Sequence, residues 1–492
     1  MSVQISCVAS RAIFAVLLAS LWGCSNNLPR ITPATGGQAN SGGSSAGGAT
    51  SSGGSAVNGT GGSSPGTGGM NGSSTGGSSS GGSSSGGSAV GGTSAGGTST
   101  GNGGTAQGGT LPTCPTSTEF NNWPSGKAPL DIGTGAVTDF LSQTQNGYGG
   151  TGNAGDGYAW AFAYFGALQF TKTASDATTN AKLISDYAKF LASGMPLPPN
   201  GTPGGDGGGG GVTGVDQRAF ADLPFEVFLE NQDMAAKTLG LTRADKQWSV
   251  TNTDGSTKDA RWWADDMFMI TGLQVFAYRA TNDPKYLDRA VKMMLTTFKY
   301  LQQSDGLFWH TQNTHVYWGR ANGWVAAGLT ELLLEMAPGK DRDDIMSGYT
   351  KLMDGLLKVQ LTQSQSPGDP GAWNQVLGYT TTFKPEMSCT AMFAYALTMG
   401  VKNGWLKDPK YATAARNAFL ALGNRTNMNG QLDQVCPGTG DAFNDGPVKT
   451  DDIEGGQKFY MNKMFKTGDR HGQAPLIWAA RAFLRTDCPG VR

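Results

Sequence analysis

Two adjacent aspartates in an apolar stretch are the residues of this chain best suited to do chemistry. Residues 261–269 read Arg-Trp-Trp-Ala-Asp-Asp-Met-Phe-Met, which places Asp265 and Asp266 where a helix is predicted to begin. Burial among large apolar groups raises the pKa of a carboxyl, and a carboxyl that is protonated near neutral pH can act as an acid catalyst. A helix N-cap also favours aspartate. The segment alone therefore allows both a cap and an acid catalyst.

The region that must position these carboxylates, residues 113–492, is predicted to be all-α. Apolar residues recur three and four positions apart, as in Leu329, Leu332 and Leu333, and strand-like alternation is sparse. Several helices are apolar on more than one face, which favours an α/α toroid with an inner and an outer ring. A helical solenoid is the alternative, but no fixed repeat period supports it. The predicted helices span residues 158–172, 176–193, 218–230, 233–239, 265–279, 284–303, 321–336, 342–362, 386–403, 409–422 and 472–484.

Aromatic residues are concentrated in or beside the predicted loops, where a toroid has its binding cleft. Flat aromatic faces in an open cleft hold sugar rings, whereas a single tryptophan more often covers the core. The cluster as a whole therefore predicts a carbohydrate-binding cleft. Its members are Trp123, Trp248, Trp262, Trp263, Phe308, Trp309, Tyr317, Trp318, Trp324, Trp373 and Tyr379.

The first residues resemble the signal of a bacterial lipoprotein. Arg11 precedes a short apolar run, residues 12–21, and Leu-Trp-Gly-Cys ends at Cys24. Residues 1–24 are predicted to be a signal peptide, with Cys24 lipidated and the protein held at the cell envelope; Ser25 favours the outer membrane. Secretion without a lipid is the alternative, because Trp22 is bulkier than the lipobox pattern usually allows.

A tether follows, assigned to residues 25–112. From about residue 32 to residue 110 the chain is almost all Gly, Ser, Thr and Ala, with nothing to build a core, so it is predicted to be disordered. Roughly 80 such residues reach on the order of 50 Å. The folded domain would then stand clear of a membrane that it touches only through the lipid anchor.

Charge and cysteine content exclude several other classes of protein. The formal net charge is −1 and no basic tract occurs, which argues against a nucleic-acid partner. With three histidines and no CxxC or HExxH motif, no metal site and no cofactor are expected. One or two disulfides are predicted in an oxidising compartment, although Cys389 could be a buried thiol. The available cysteines are Cys114, Cys389, Cys436 and Cys488.

Four further strings follow the 261–269 segment in order. They are Asp-Gly-Leu-Phe-Trp-His at 305–310, Trp-Gly-Arg-Ala-Asn-Gly-Trp at 318–324, Gly-Ala-Trp-Asn-Gln-Val-Leu at 371–377 and Glu-Met-Ser-Cys-Thr-Ala-Met-Phe-Ala-Tyr at 386–395. Each is a weak signal by itself. The ordered series resembles the unsaturated glucuronyl and rhamnogalacturonyl hydrolases of glycoside hydrolase families 88 and 105, with family 105 the closer match.

The resemblance implies an (α/α)6 barrel that works without metal on pectin or rhamnogalacturonan oligosaccharides and removes the 4,5-unsaturated uronic acid from their non-reducing end. In that family one aspartate protonates carbon 4 of the vinyl ether, and its conjugate base helps water add to carbon 5. That aspartate aligns with Asp265, with Met267 in place of the usual Leu. Because adjacent helical residues point about 100° apart, Asp266 is expected to cap or to pair elsewhere.

Other residues match substrate-binding positions of the family. Asp216 resembles its second active-site aspartate, although a helix N-cap would also explain it. His310 matches the family's histidine after Gly-Leu-Phe. Arg320 suits an anionic sugar, because a guanidinium can bind a carboxylate through two hydrogen bonds. Trp324 is expected to stack on the sugar ring, and Trp263 is a further substrate-binding candidate.

Two departures from the family leave the substrate open. The loop before Arg320 is shorter than in many relatives, and helix 156–170 lacks the usual tyrosine pattern, so Tyr158, Trp160 or Tyr164 would have to replace it. Galacturonyl is preferred over glucuronyl as the released residue, and the sugar beyond the bond is undetermined.

Two other functions compete with this one. An inverting glycosidase on saturated oligosaccharides would use Asp216 and Asp265 as base and acid, roughly 6.5–9.5 Å apart. A surface lipoprotein that binds oligosaccharides without catalysis would not need a desolvated acid. The favoured prediction is a monomeric hydrolase whose partners are unsaturated uronyl oligosaccharides.

Overall fold

The computed structural model describes residues 117–143, 157–193, 214–438, 440–442 and 452–486. All of them belong to the unit that spans residues 102–492. The predicted signal peptide with Cys24, the predicted tether 25–112, and Cys114 and Cys488 lie outside the described residues. Within the described ranges, no helix is both long enough and apolar enough to cross a membrane.

An inner ring of helices forms the centre of the fold: α2 (Gly157–Thr173), α5 (Asp222–Asn231), α8 (Thr271–Thr281), α10 (Gly319–Glu335), α12 (Met387–Lys402) and α15 (Arg470–Leu484). Each packs against the next, and α15 packs against α2, so the ring is closed. The inner helices are buried along most of their length, and every residue of α12 is buried. Apolar residues on all faces therefore mark a helix of the inner ring.

An outer layer surrounds this ring: α1 (Pro129–Gln143), α3 (Ala177–Ala192), α6 (Met234–Gln247), α9 (Pro284–Leu301), α11 (Lys340–Lys358) and α13 (Pro409–Arg425). Each outer helix packs against an inner helix, and α1 does so against α15. Aspartates cap α3, α6, α9 and α13 by accepting backbone N–H groups of the first turn. The predicted (α/α)6 barrel is confirmed, and a closed ring excludes the solenoid.

Tight turns connect outer helices to the next inner helix. Gly255, Gly306, Gly371 and Gly430 lie at positive φ in the turns after α6, α9, α11 and α13. At Gly306 a Cβ would lie 2.0 Å from the Lys351 carbonyl oxygen, so only glycine fits there. Strand pairing in the described residues is confined to isolated bridges. These turns start the connections that lead to the N-terminal ends of the inner helices, where the candidate site lies.

Three short α-helices and one short 3-10 helix complete the described structure: α4 (Gly214–Ala219), α7 (Asp266–Met269), α14 (Ile453–Met461) and the 3-10 helix Thr118–Phe120. α4 and α5 were predicted as parts of one helix, 218–230. In a continuous helix Pro224 would have no N–H to donate to the Phe220 carbonyl oxygen, and the proline ring would clash with that carbonyl. The helix is therefore broken before α5. α7 and α8 were also predicted as one helix and meet at Ile270. α1 and α14 were missed, since each contains two glycines that lower helix propensity.

Both cysteines in the described part of the domain are buried thiols. Cys389 lies in α12, as predicted, and Cys436 lies in the connection between α13 and α14. Neither forms a disulfide. Of the one or two disulfides that the sequence allows, a second would need these two residues and is therefore excluded.

Candidate active site

Asp265 and His310 face each other at the N-terminal end of the inner ring. Asp265 Oδ2 lies 3.2 Å from His310 Nε2, and both side chains are buried. The segments that carry them are joined by a hydrogen bond from the Ala264 N–H to the His310 carbonyl oxygen, 2.8 Å, and by a bridge between Trp263 and Thr311. The two facing atoms are close but are not aligned in a hydrogen bond. They therefore retain the capacity to bind a third polar atom.

The surroundings of Asp265 favour its carboxylate form. It stands at the N-cap position of α7, but its side chain makes no capping hydrogen bond. Burial raises the pKa of Asp265, but the contact with His310 and the charges of His310, Arg261 and Arg320 outweigh burial and hold that pKa below its ordinary value. The predicted upward shift in the Asp265 pKa is therefore wrong, because Arg261 of the same segment and His310 and Arg320 from distant segments add positive charge to the apolar surroundings.

Arg261 binds the other two aspartates. Its two Nη atoms lie 2.9 Å from the two oxygens of Asp216, and its Nε lies 2.8 Å from Asp266 Oδ1. The Arg261 backbone N–H also donates to Asp266 Oδ2, at 2.6 Å. Burial nevertheless raises the pKa of Asp266 to about 6. Asp266 thus pairs with Arg261 and not with Asp265, as expected. Asp216 lies inside α4, where it binds Arg261 and does not serve as the N-cap of that helix.

Arg320 lies in the first turn of α10 and is fully buried. It donates from Nη1 to the Cys436 carbonyl oxygen, and its guanidinium lies 4.5 Å over the Trp318 ring. Its positive charge acts on Asp265. A cation thus lies beside the Asp265–His310 pair, as an anionic ligand would require.

Tyr158, among the three aromatic candidates of α2, is the one that joins the site. Burial raises its pKa, and the charges of Asp216, Arg320 and Asp265 also act on it. Its hydroxyl lies 2.7 Å from His471 Nε2. Trp160 stacks on Phe220 and Tyr164 donates to the Leu183 carbonyl oxygen, so both belong to the core.

The two tryptophans predicted to bind substrate differ in exposure. Trp263 is partly exposed, with its ring centroid 5.2 Å from that of His310 and the Arg261 guanidinium 4.8 Å over it. It is placed to contact a ligand at the Asp265–His310 pair. Trp324 has no exposed surface and packs against Phe162, Phe268 and Trp478.

The predicted stacking of Trp324 on a sugar ring does not fit this geometry, because neither face of the indole is free for a ring. Other members of the loop cluster are buried as well, namely Phe308, Trp318 and Trp373. These connections cover the barrel core, so a tryptophan beside a loop is not necessarily exposed. The cleft is therefore less aromatic than the sequence suggested.

Four residues at or next to the site received no role from the sequence: Arg261, Tyr460, His471 and Asp469. Tyr460, in α14, contacts His310 Nδ1 through its hydroxyl, across 150 positions of sequence. His471 Nδ1 lies 2.7 Å from Asp469 Oδ1. Such long-range pairs leave no local pattern in the sequence. The local signals that could have indicated these residues were Arg261, four positions before Asp265, and the Asp-Arg-His triplet 469–471 at the start of α15.

The fold and this site define a class of helical-barrel glycoside hydrolases. Residues 220–486 match the model of Glycosyl Hydrolase Family 88, and the chain belongs to that family. The matched range contains Asp265, His310 and Arg320. Asp216 and Tyr158 precede it.

Curated relatives include two proteins named unsaturated 3S-rhamnoglycuronyl hydrolase. The one from Alteromonas sp. (strain LOR) is 27% identical over 187 residues, which cover 36% of this chain and 44% of the relative. The one from Formosa agariphila is 28% identical over 211 residues, 39% of this chain and 54% of the relative. The chain thus spans about half the length of these relatives.

Solved structures share the fold over most of the chain. A possible family 105 member from Salmonella enterica has a TM-score of 0.58 at 17% identity, covering 75% of this chain and 97% of that one. A family 88 glycosyl hydrolase from Bacteroides vulgatus has a TM-score of 0.56 at 16% identity, covering 73% and 98%. At these identities the likeness concerns the fold alone.

Proposed function

We propose that this protein is a hydrolase that removes the 4,5-unsaturated uronic acid from the non-reducing end of pectin-type oligosaccharides, with Asp265 as general acid and base. The observation that carries the proposal is the buried Asp265–His310 pair, whose facing atoms lie 3.2 Å apart and retain bonding capacity. Membership of family 88 and the two relatives named as unsaturated rhamnoglycuronyl hydrolases support it.

The reaction is a hydration of the vinyl ether. The Asp265 carboxyl gives its proton to carbon 4, and the double-bond electrons form the new C–H bond, which leaves a cation shared by carbon 5 and the ring oxygen. Water adds to carbon 5 and returns a proton to Asp265. The hemiketal opens to a ketone at carbon 5, and the hemiacetal at carbon 1 then releases the remaining sugar.

Asp265 must gain a proton before the first step, although it rests as a carboxylate. The carboxylate of a bound uronate brings a second negative charge next to Asp265, and a like charge raises a carboxyl pKa. The positive charges of Arg261 and Arg320 attract the same substrate group. Binding therefore both recruits the anionic sugar and favours the protonated form of Asp265.

Asp216 is poorly suited to be the base of an inverting glycosidase. Both its oxygens accept hydrogen bonds from Arg261 at 2.9 Å, so one of these bonds would have to break before Asp216 could orient a water for attack. A hydration mechanism needs one aspartate in two roles, whereas inversion needs two independent carboxyl groups. The geometry of Asp216 therefore favours hydration.

We propose galacturonyl as the released residue and rhamnose as the sugar beyond the bond. Both relatives are named unsaturated 3S-rhamnoglycuronyl hydrolase, which supports a rhamnose-linked uronyl substrate. Trp263, partly exposed beside His310, is the side chain placed to contact the sugar ring. Parallel assays on unsaturated galacturonyl and glucuronyl disaccharides would decide the residue.

The test follows the ultraviolet absorbance of the carbon 4–carbon 5 double bond while the purified domain, residues 113–492, acts on lyase-digested rhamnogalacturonan. Asp265→Asn keeps the shape of the side chain but cannot transfer the proton. Asp288→Asn, on the exposed face of the outer helix α9, is the matched control. We expect the absorbance to fall with wild type and Asp288→Asn and to stay constant with Asp265→Asn.

Other outcomes would favour other functions. Release of sugar from saturated oligosaccharides at constant absorbance would indicate the inverting glycosidase. Binding of oligosaccharides without turnover of either substrate would indicate a capture protein. Equal activity of Asp265→Asn and wild type would exclude Asp265 as the acid.

We further propose that Cys24 is lipidated, that the protein is anchored at the cell envelope by that lipid, and that the domain is a monomer. Cys24→Ser should move the protein from the membrane fraction to the soluble fraction. Light scattering of the domain should give the mass of one chain. A membrane-bound Cys24→Ser protein or a dimer mass would contradict these proposals.

A further inference from the structure

Tyr158, His471 and Asp469 form a buried chain of hydrogen bonds that ends at the candidate site. Tyr158 Oη lies 2.7 Å from His471 Nε2, and His471 Nδ1 lies 2.7 Å from Asp469 Oδ1. The three side chains belong to residues that are 7%, 4% and 9% exposed. The chain connects the first inner helix, α2, to the last, α15.

The direction of these hydrogen bonds follows from Asp469. Asp469 Oδ1 accepts the His471 backbone N–H at 3.1 Å, in the manner of a carboxylate that caps a helix, and the same oxygen faces His471 Nδ1. A carboxylate only accepts hydrogen bonds, so His471 Nδ1 carries a hydrogen. In the neutral imidazole Nε2 is then bare and accepts the hydrogen of the Tyr158 hydroxyl.

We infer that His471, oriented by Asp469, is a positioning residue that acts through Tyr158. It draws the phenol hydrogen away from the site, so that the phenol oxygen presents its lone pairs to the water or sugar hydroxyl beside Asp265. The inference rests on the proposed function, because it assigns Tyr158 a place next to the reacting atoms. A base oriented by a third group is a recurring arrangement in catalysis.

Helix capping alone does not account for this arrangement. Asp469 does cap α15, since its Oδ1 also accepts the His471 backbone N–H at 3.1 Å. A cap needs neither the His471 ring nor the Tyr158 hydroxyl. Both ring nitrogens of His471 are engaged, and Tyr158 lies within the electrostatic reach of Asp216, Asp265, Arg261 and Arg320.

Kinetics of three variants test the inference. In His471→Ala the phenol is free to rotate, and kcat should fall about 10- to 100-fold with little change in KM. His471→Gln should recover part of kcat, because its side-chain oxygen can accept from Tyr158. Asp288→Asn, on the exposed face of α9, is the control and should retain wild-type kinetics. His315→Gln, whose ring stacks on Trp309, serves only to assign its NMR signal.

A double-mutant cycle separates action through Tyr158 from a general loss of structure. Tyr158→Phe removes the hydroxyl on which His471 acts. The His471→Gln change should therefore lower kcat in wild type but have no further effect in the Tyr158→Phe background. Additive losses in the double variant would overturn the inference.

Nitrogen NMR of the imidazoles gives a readout that does not depend on turnover. The chain has three histidines, so the two glutamine variants and the remaining signal assign all of them. We expect His471 to carry its hydrogen on Nδ1 and to have a bare Nε2. A hydrogen on Nε2, alone or together with one on Nδ1, or wild-type kcat in His471→Ala, would overturn the inference while leaving the proposed function intact. Failure of wild type to consume the unsaturated substrate would instead refute the function.

Discussion

Arg261 binds two carboxylates at once and thereby separates their roles from that of Asp265. Its Nη atoms bond both oxygens of Asp216, and its Nε and backbone N–H bond Asp266. A guanidinium can do this because its planar fork offers several donors in fixed directions. Asp265 Oδ2 can still form a hydrogen bond with a substrate or water atom.

Arg261→Lys should therefore impair both catalysis and stability. A lysine ammonium cannot bind both oxygens of Asp216 and Asp266 at the same time, so the aspartates around the site would lose their fixed positions. We therefore expect kcat/KM to fall about 100-fold. The melting temperature should also fall, because buried Asp266 loses part of its compensating charge. Lys340→Arg, in the exposed pair with Asp344 at the start of α11, is the control for the exchange of the two cations and should change neither value. Wild-type kinetics in Arg261→Lys would contradict the role assigned to Arg261.

The pH dependence of turnover should differ between the free enzyme and its complex. In the proposed mechanism Asp265 must be protonated for the first step, so activity should be lost as the pH rises through its pKa. In the free enzyme that pKa lies below its ordinary value, and a bound uronate raises it. The descending limb of kcat should consequently lie at higher pH than that of kcat/KM. Coincident limbs in the two profiles would contradict this account.

The sequence predicted the candidate site residues that belong to short motifs. It did not predict the neighbouring groups that shift the pKa values of these residues. Asp265, His310 and Arg320 are each embedded in a recognisable segment, and the structure brings them together. The downward shift in the Asp265 pKa depends on contacts between different segments. The Tyr158–His471 bond spans 313 positions, which no local pattern could show.

At the level of elements, the Asp265 segment is held against α10 by a close approach at Gly328. A Cβ at Gly328 would lie 2.2 Å from the Met267 carbonyl oxygen, so α7 and α10 can pack this closely only with glycine there. α10 also carries Arg320 in its first turn. This contact therefore holds the segment that carries Asp265 against the helix that carries Arg320.

Gly328→Ala should push α7 away from α10. We expect a loss of about 1–3 kcal/mol in the free energy of unfolding from overpacking, together with a lower kcat/KM. Gly272→Ala in α8 is the matched control, because its nearest neighbour, the Phe268 ring, lies at an ordinary 3.5 Å. It should be neutral or slightly stabilising. Chemical denaturation and steady-state kinetics of both variants measure this, and equal stability of the two would contradict the close approach.

Apolar periodicity predicted most helices of both rings but not their interruptions. The predicted helix 284–303 corresponds to α9, which ends at Leu301. This prediction succeeded because an Asp-Pro pair marks the start of the helix and its apolar residues lie on one face. The breaks before α5 and α8 depend on Pro224 and on the tertiary position of Ile270. A periodic pattern continues through both breaks, so the sequence could not separate α4 and α7 from their inner helices.

The whole barrel depends on α15 to close the ring between α12 and α2. Its Trp478 donates to the Phe162 carbonyl oxygen at 3.1 Å and stacks on Phe165 and Phe268. Lys402 of α12 donates to the carbonyl oxygens of Phe483 and Arg485 at the end of α15. The same helix supplies His471 to Tyr158, so closure of the ring and completion of the site involve one element.

Truncation after residue 461, which removes α15, should abolish cooperative unfolding of the domain. α1, α2 and α12 would then expose the apolar surfaces that α15 covers. Truncation after residue 486 leaves α15 intact and is the control. Circular dichroism during heating and gel filtration compare the two. A monomeric, cooperatively unfolding product of the longer deletion would contradict the dependence on α15.

The most direct test of the central claim is to run the reaction in D2O and examine the released sugar by NMR. Hydration by way of Asp265 predicts that the vinyl proton signal of carbon 4 disappears and that carbon 4 gains one deuteron, with no such change in Asp265→Asn. Release of a sugar that keeps its double bond and contains no deuterium at carbon 4 would show displacement at the anomeric carbon and contradict the account.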